Sequence, residues 1–81
     1  MYIKEQKIKS DTEISVENNI REIRKSKKIK QTKLVRLLDL QGITITRESL
    51  VKIERGIQHI YASQLRGIKN ALNTTYDEIL K

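Results

Sequence analysis

Apolar residues recur three and four positions apart in this chain, and that spacing constrains its fold more than any other feature. It places side chains on one face of an α-helix, whereas a half-buried strand needs strict alternation. The residues expected to face inward form five groups: Val16, Ile20 and Ile23; Leu34, Val35, Leu37 and Leu38; Leu50 and Ile53; Leu65, Ile68, Ala71 and Leu72; Tyr76, Ile79 and Leu80. The sequence therefore predicts a compact all-α fold of five short helices.

The residues that flank these groups are typical of helix starts and stops. Ser15, Thr46 and Thr75 precede the first, third and fifth groups, and Thr75 begins a capping-box sequence, Thr-x-x-Glu. Gly42 and Gly56 follow the second and third groups, where glycine adopts the left-handed conformation at little cost. The predicted helices span about residues 16–27, 31–40, 47–55 and 62–72, and the fifth opens at Thr75.

The 81 residues are enough for one domain. The chain contains no Cys, which excludes disulfides and thiolate metal sites, and its single histidine, His59, makes an imidazole metal site unexpected. No apolar run is long enough to cross a bilayer, and the N-terminus lacks the apolar stretch of a signal peptide. We expect a cytoplasmic protein that needs no cofactor, metal or membrane.

Residues 1–14 allow two interpretations. Tyr2, Lys4, Gln6 and Ile8 alternate in character at first, as in a short strand, and polar residues follow. Because an isolated strand is not stable, a disordered N-terminal arm is favoured over a strand. The predicted organisation is thus an arm over residues 1–14 and a helical domain over residues 15–81.

The formal net charge of +7 is concentrated in one part of the chain. Residues 16–40 carry eight Lys and Arg against three acidic residues, a local net charge of +5, whereas residues 1–15 sum to zero. A concentrated positive field favours a polyanionic partner. The alternative is a solvated, lysine-rich helix face with no partner.

Four pieces of the sequence stand in the order found in one family of DNA-binding domains. They are IREIRK at 20–25, QTKLV at 31–35, LVKIERG at 50–56, and ALN with YDEIL at 71–73 and 76–80. From Asn19 to Leu80, about three quarters of its length, the chain resembles the Cro/cI-type (XRE-family) helix-turn-helix domains of phage and bacterial repressors. The resemblance implies a repressor-like fold that binds double-stranded DNA as a homodimer, often through its C-terminal helices.

The resemblance makes the third helix the recognition helix, which enters the major groove and reads base edges with its N-terminal residues. The residues expected to read bases are Arg47, Glu48, Ser49 and Lys52. Arg47 suits guanine, Glu48 suits the amino group of cytosine, and Ser49 suits several bases. The alternative is an ordinary amphipathic helix on the surface.

The start of the second helix is expected to bind the DNA backbone, since a helix N-terminus presents free N–H groups and partial positive charge. The residues assigned to backbone contacts are Gln31, Thr32, Lys33, Lys28, Lys30, Thr46, Arg55, Gln58 and His59. For the lysines, the alternative is simple solvation; for the loop around His59, it is a plain surface loop. The resemblance also implies a structural ion pair, Arg24 with Glu54, that locks the third helix against the first.

Three positions depart from the family pattern. The connection from Asp39 to Ile45 is longer than the usual turn of about four residues, and we expect it to lengthen the second helix and shift the third. Val35 stands where the family usually has Ala, which predicts wider spacing between these two helices. Lys69 stands where a small residue is usual, and we expect its side chain to snorkel outward.

The expected function is a sequence-specific DNA-binding transcriptional regulator, a repressor of phage or mobile-element type. The alternative is a protein-interaction module, or an antitoxin-like partner of a toxin or antirepressor, that has this fold without DNA binding. Glu48 favours this alternative because its carboxylate opposes phosphate, whereas the clustered positive charge opposes it. An enzyme is not expected, because the sequence offers no nucleophile–base arrangement, phosphate-cradling glycine loop or metal-ligand spacing.

Overall fold

The structure is a computed structural model that describes residues 7, 8, 10 and 14–81. Its helices are α1 (Val16–Ser26), α2 (Gln31–Asp39), α3 (Arg47–Glu54), α4 (Ala62–Ala71) and α5 (Tyr76–Ile79). The all-α fold predicted from the apolar spacing is confirmed, and the first four helices end one residue before their predicted ends. None of the helices in the described residues has the length and apolar character needed to cross a membrane.

A short antiparallel strand pair joins the N-terminal residues to the helical body. β1 (Lys7–Ile8) pairs with β2 (Ile60–Tyr61), with Ile8 opposite Ile60. The sequence favours a disordered arm because an isolated strand is not stable. The structure differs at Lys7 and Ile8, because the chain after α3 supplies a partner strand for them. Residues 1–6, 9 and 11–13 of the predicted arm lie outside the described residues.

Hydroxyl caps begin three of the helices, as the sequence predicts. Ser15, Thr46 and Thr75 each accept a hydrogen bond from the backbone N–H three residues on, at 3.4, 3.0 and 3.2 Å. In the capping box predicted at Thr75, the structure contains the bond from Glu78 N–H to the Thr75 hydroxyl. The Glu78 carboxylate instead lies 3.4 Å from Lys81 Nζ. These bonds satisfy backbone donors that have no partner within the helix.

One apolar cluster packs between the helices. Its buried members are Val16, Ile20, Leu34, Leu38, Ile45, Leu50, Ile53, Ile60, Leu65, Ile68, Leu72 and Ile79. The prediction that Tyr76 and Leu80 face inward is wrong, because they are 41% and 40% exposed. Helix α5 is a single turn, and successive residues of a helix point about 100° apart, so Ile79 alone turns its side chain fully into the core.

The long connection between α2 and α3 is an ordered part of the fold. Helix α2 ends at Asp39, so the insertion does not lengthen it as expected. Instead the chain turns back at Gly42, whose φ is +79°, and Ile43 N donates to Leu38 O at 3.0 Å. Ile45 then enters the core at 7% exposure. The insertion is therefore anchored by its own apolar residues.

The close approach in α4 occurs at Gly67 rather than at Lys69. A Cβ placed on Gly67 would lie only 2.3 Å from Cδ1 of Ile43, so the absence of a side chain makes room for the insertion. Gln41 also donates to Gly67 O at 2.9 Å. Lys69 lies half-buried, with Nζ 5.3 Å from the centre of the Tyr76 ring, a distance at which a cation–π interaction forms.

Replacing Gly42 tests the turn that ends α2. We expect Gly42→Ala to lower the free energy of unfolding by about 1 kcal/mol, because a Cβ is strained at this positive φ although nothing lies within 4 Å of it. Gly42→Asn should cost less, since asparagine tolerates the left-handed region. Urea unfolding of the three proteins measures both differences. Equal stability of all three would contradict the turn described here.

Candidate nucleic-acid interface

Helix α3 has one buried face and one polar face. Leu50 and Ile53 are fully buried, and they fix the helix against the core. Of the predicted base-reading residues, Arg47, Glu48 and Lys52 are exposed. The fourth, Ser49, is half-buried, and its backbone N–H donates to the capping hydroxyl of Thr46. Glu48 lies in the first turn, where a carboxylate interacts favourably with the helix dipole. The polar face is thus formed by side chains from two successive turns.

The N-terminus of α2 has open backbone donors. Its N-cap residue is Lys30, whose side chain makes no capping bond, because an ammonium group has no acceptor. Thr32 and Lys33 in the first turn are exposed. The first N–H groups of a helix have no partner within it. This end of α2 therefore combines free N–H groups with the positive end of the helix dipole.

A cationic groove lies between α1, α2 and the start of α3. We call it the α1–α3 groove, and its lining residues are Arg21, Arg24, Lys25, Lys30, Gln31, Thr32 and Arg47. None of the acidic side chains in the described residues lines it. Arg21 and Lys25 were not singled out from the sequence. The signal that was available is their spacing, since positions 21, 24 and 25 share one face of a helix.

A buried ion pair joins Arg24, one of the residues that line this groove, to Glu54 of α3. Arg24 Nε donates to Glu54 Oε2 at 2.7 Å and Nη2 donates to Oε1 at 2.9 Å, a bidentate pair whose side chains are 11% and 2% exposed. Arg24 Nη1 donates to Ile29 O at 2.8 Å. The ion pair implied by the resemblance is therefore present. It joins α1, the α1–α2 turn and the end of α3.

Gln31 shares the same carboxylate. Its amide nitrogen donates to Glu54 Oε1 at 3.0 Å, and the residue is half-buried. The predicted DNA-backbone contact of Gln31 is thus limited by this bond, because its side-chain N–H group is partly committed inside the protein. Its backbone N–H and its amide oxygen remain for an external ligand.

The remaining residues assigned to backbone contacts do not line the groove. Lys28, Lys33, Thr46, Arg55 and His59 are exposed, and Gln58 is half-buried. The structure therefore brings together Lys30, Gln31, Thr32 and Arg47 and leaves these six outside the groove.

No protein-family model, curated protein or solved structure matches this chain. Within the described residues, no three His, Cys, Asp or Glu side chains stand close enough together to hold a metal ion. A functional assignment therefore has to come from the geometry and charge of α3 and the α1–α3 groove.

Neutralising Glu54 tests the buried carboxylate. We expect Glu54→Gln to lower the free energy of unfolding by roughly 3–5 kcal/mol, because the buried Arg24 guanidinium loses its counter-charge. The matched control is Glu78→Gln, which removes the exposed carboxylate paired with Lys81 and should cost about 0–1 kcal/mol. Chemical unfolding measures both. Similar losses in the two variants would mean that the Arg24 pair is not desolvated.

Lys28 occupies a strained backbone position in the α1–α2 turn. Its φ is +57°, a region that residues with a Cβ adopt at a cost. We expect Lys28→Gly to raise the free energy of unfolding by up to about 1 kcal/mol by relieving this strain. Lys28→Ala removes the same charge but keeps the Cβ, so thermal unfolding should show no comparable gain. A gain in both variants would instead assign the effect to charge.

Proposed function

We propose that this protein is a sequence-specific, double-stranded DNA-binding transcriptional regulator of the Cro/cI (XRE) helix-turn-helix type. The observation that carries the proposal is the position of the exposed polar face of α3 next to the α1–α3 groove. Arg47 belongs to both surfaces, since it begins α3 and lines the groove. A ligand that satisfies both must present hydrogen-bonding edges beside a row of negative charge, as duplex DNA does.

The dimensions of α3 suit the major groove. An α-helix with its side chains is about 10–12 Å across and fits the major groove of B-DNA, which is about 12 Å wide, and the eight residues of α3 can lie along that groove. In that position Arg47 donates to a guanine, Glu48 accepts from a cytosine amino group, and Lys52 reaches a base or a phosphate one turn later. Base edges are read by such side chains, whereas phosphate contacts set the position of the helix.

The charge distribution supports the same ligand. The groove is cationic, and the first turn of α2 offers backbone N–H groups. Two further cations are exposed nearby in the chain, Lys28 in the α1–α2 turn and Lys33 in α2. Each phosphate neutralised by a cation releases condensed counterions and so contributes to affinity at low salt. The Glu54 carboxylate neutralises the buried Arg24 guanidinium, so this ion pair holds α1 against α3 without needing a DNA phosphate.

We further propose that the regulator is a cytoplasmic homodimer acting as a repressor. Tyr76 and Leu80 are about two-fifths exposed at the C-terminal end, which leaves apolar surface for a second copy. A two-fold symmetric dimer would place its two α3 helices about 34 Å apart on a palindromic site.

One observation favours a second candidate, a protein-interaction module or antitoxin-like partner. Leu40 is 77% exposed, and it lines a shallow groove on α2 together with Leu37 and Arg36. Large exposed apolar side chains occur at protein interfaces. Binding to duplex DNA distinguishes the candidates, because only the regulator should bind DNA with an affinity that falls steeply as salt rises.

Selection of bound sequences from random duplex DNA tests the proposal directly. We expect a palindromic consensus for the wild-type protein. Arg47→Ala should relax the preference at one base pair by roughly 1–3 kcal/mol, because it removes a base contact. Lys33→Ala should weaken binding to all sequences about equally and flatten the salt dependence.

The control for these variants is Arg66→Ala, which removes one positive charge at an exposed position of α4 outside the groove. It should leave both the consensus and the salt dependence close to those of the wild type. A wild-type protein that selects no sequence and ignores duplex DNA at low ionic strength would overturn the proposed function. Identical behaviour of the Arg47 and Lys33 variants would overturn the division between reading and positioning residues.

A further inference from the structure

We propose that Arg21 and Lys25 of α1, together with the first turn of α2, form a binding site for a backbone phosphate of duplex DNA beside the base-reading Arg47. This inference rests on the proposed function and extends the interface to α1, which otherwise serves as scaffold. The ligand class is a phosphodiester within a continuous strand, held at the edge of the base-reading surface.

The first support is the position of the two side chains. Arg21 and Lys25 are exposed, lie one helical turn apart, and line the same groove as Arg47. Like charges at this spacing destabilise a helix. Neither side chain pairs with a carboxylate in the part of the chain that the structure describes. Among the described residues, both charges therefore remain available to an external anion.

The second support is that Arg24, which lies between them, does not share their role. Its Nε and both of its terminal nitrogens are committed, two to Glu54 and one to Ile29 O. Its charge is neutralised by Glu54, whereas Arg21, Lys25, Lys30 and Arg47 supply four positive charges that form no ion pair among the described residues. A groove with this charge, and with no acidic side chain among its described lining residues, attracts an anion.

The third support is the set of hydrogen-bond donors at one end of the groove. Gln31 and Thr32 line it from the first turn of α2, where the backbone N–H groups have no side-chain cap. A phosphate oxygen accepts bonds from such N–H groups and from guanidinium and ammonium groups at once. Donors from α1 and α2 therefore line the same groove, beside Arg47 of α3.

The groove favours a phosphate of a DNA strand over a free phosphate compound. Arg47 is the first residue of α3, so an anion held beside it lies at the N-terminal edge of the base-reading face. A strand whose bases are read by Glu48 and Lys52 brings its own phosphate to this edge. A free phosphate would fill the groove without using the polar face of α3.

The test combines a double variant with DNA that lacks single charges. Wild type and Arg21→Ala/Lys25→Ala are titrated with the selected duplex and with duplexes that carry one neutral methylphosphonate linkage each. We expect the double variant to bind the unmodified duplex roughly tenfold more weakly, with a log–log salt slope smaller by about 1 for each lost contact. One or two methylphosphonates that weaken wild-type binding should have little further effect on the variant.

The matched control is Arg66→Ala/Lys81→Ala, which removes the same charge from exposed positions outside the groove. Its affinity, salt slope and sensitivity to every methylphosphonate should follow the wild type. The thermal stability of the groove variant should equal or exceed that of the wild type, because like-charge repulsion is removed, so a loss of binding cannot be assigned to unfolding.

Three outcomes overturn the inference. If the groove variant binds like its control while the wild type still selects a sequence, α1 is only a scaffold and the proposed function stands. If no methylphosphonate distinguishes the wild type from the variant, the lost affinity is general electrostatics. If inorganic pyrophosphate at matched ionic strength binds the groove and the duplex does not compete with it, the ligand is a free phosphate compound. A wild-type protein that binds no duplex contradicts the proposed function itself.

Discussion

The buried carboxylate of Glu54 is the contact on which the arrangement of the helices around α3 depends. It accepts two hydrogen bonds from Arg24 of α1 and one from Gln31 of α2. Three helices thus meet at one charged group that is almost completely removed from water. Such a pair adds little net stability compared with apolar packing, but losing one partner is costly because the other charge stays buried. The geometry of α3 relative to α1 and α2 is therefore strongly determined.

The same contact shapes the surface chemistry. Because Glu54 neutralises Arg24, the cations that remain at the groove come from Arg21, Lys25, Lys30 and Arg47. Because it also holds the amide of Gln31, the first turn of α2 keeps a fixed orientation. The structural ion pair and the cationic surface of the groove are in this way formed by neighbouring residues. Preorganised donors of this kind bind an anion without having to be ordered first.

Much of the fold could be predicted because its signals are local. The spacing of apolar residues located all five helices, and Ser15, Thr46 and Gly42 marked ends that the structure confirms. Less of the candidate site could be predicted. The pairing of Arg24 with Glu54 was expected from a resemblance, but Arg21 and Lys25 were not recognised as groove residues. Their role depends on which face of α1 meets α2 and α3, and amphipathicity alone does not specify neighbours.

The sequence by itself determined the helices, their caps and the concentration of positive charge, since each depends on residues a few positions apart. Only the tertiary structure decided the pairing of β1 with β2 and the close approach of Ile43 to Gly67. Each of these depends on segments far apart in the chain, whose meeting is decided by how the helices share one small core. The same packing places α1 beside the start of α3 and so forms the groove.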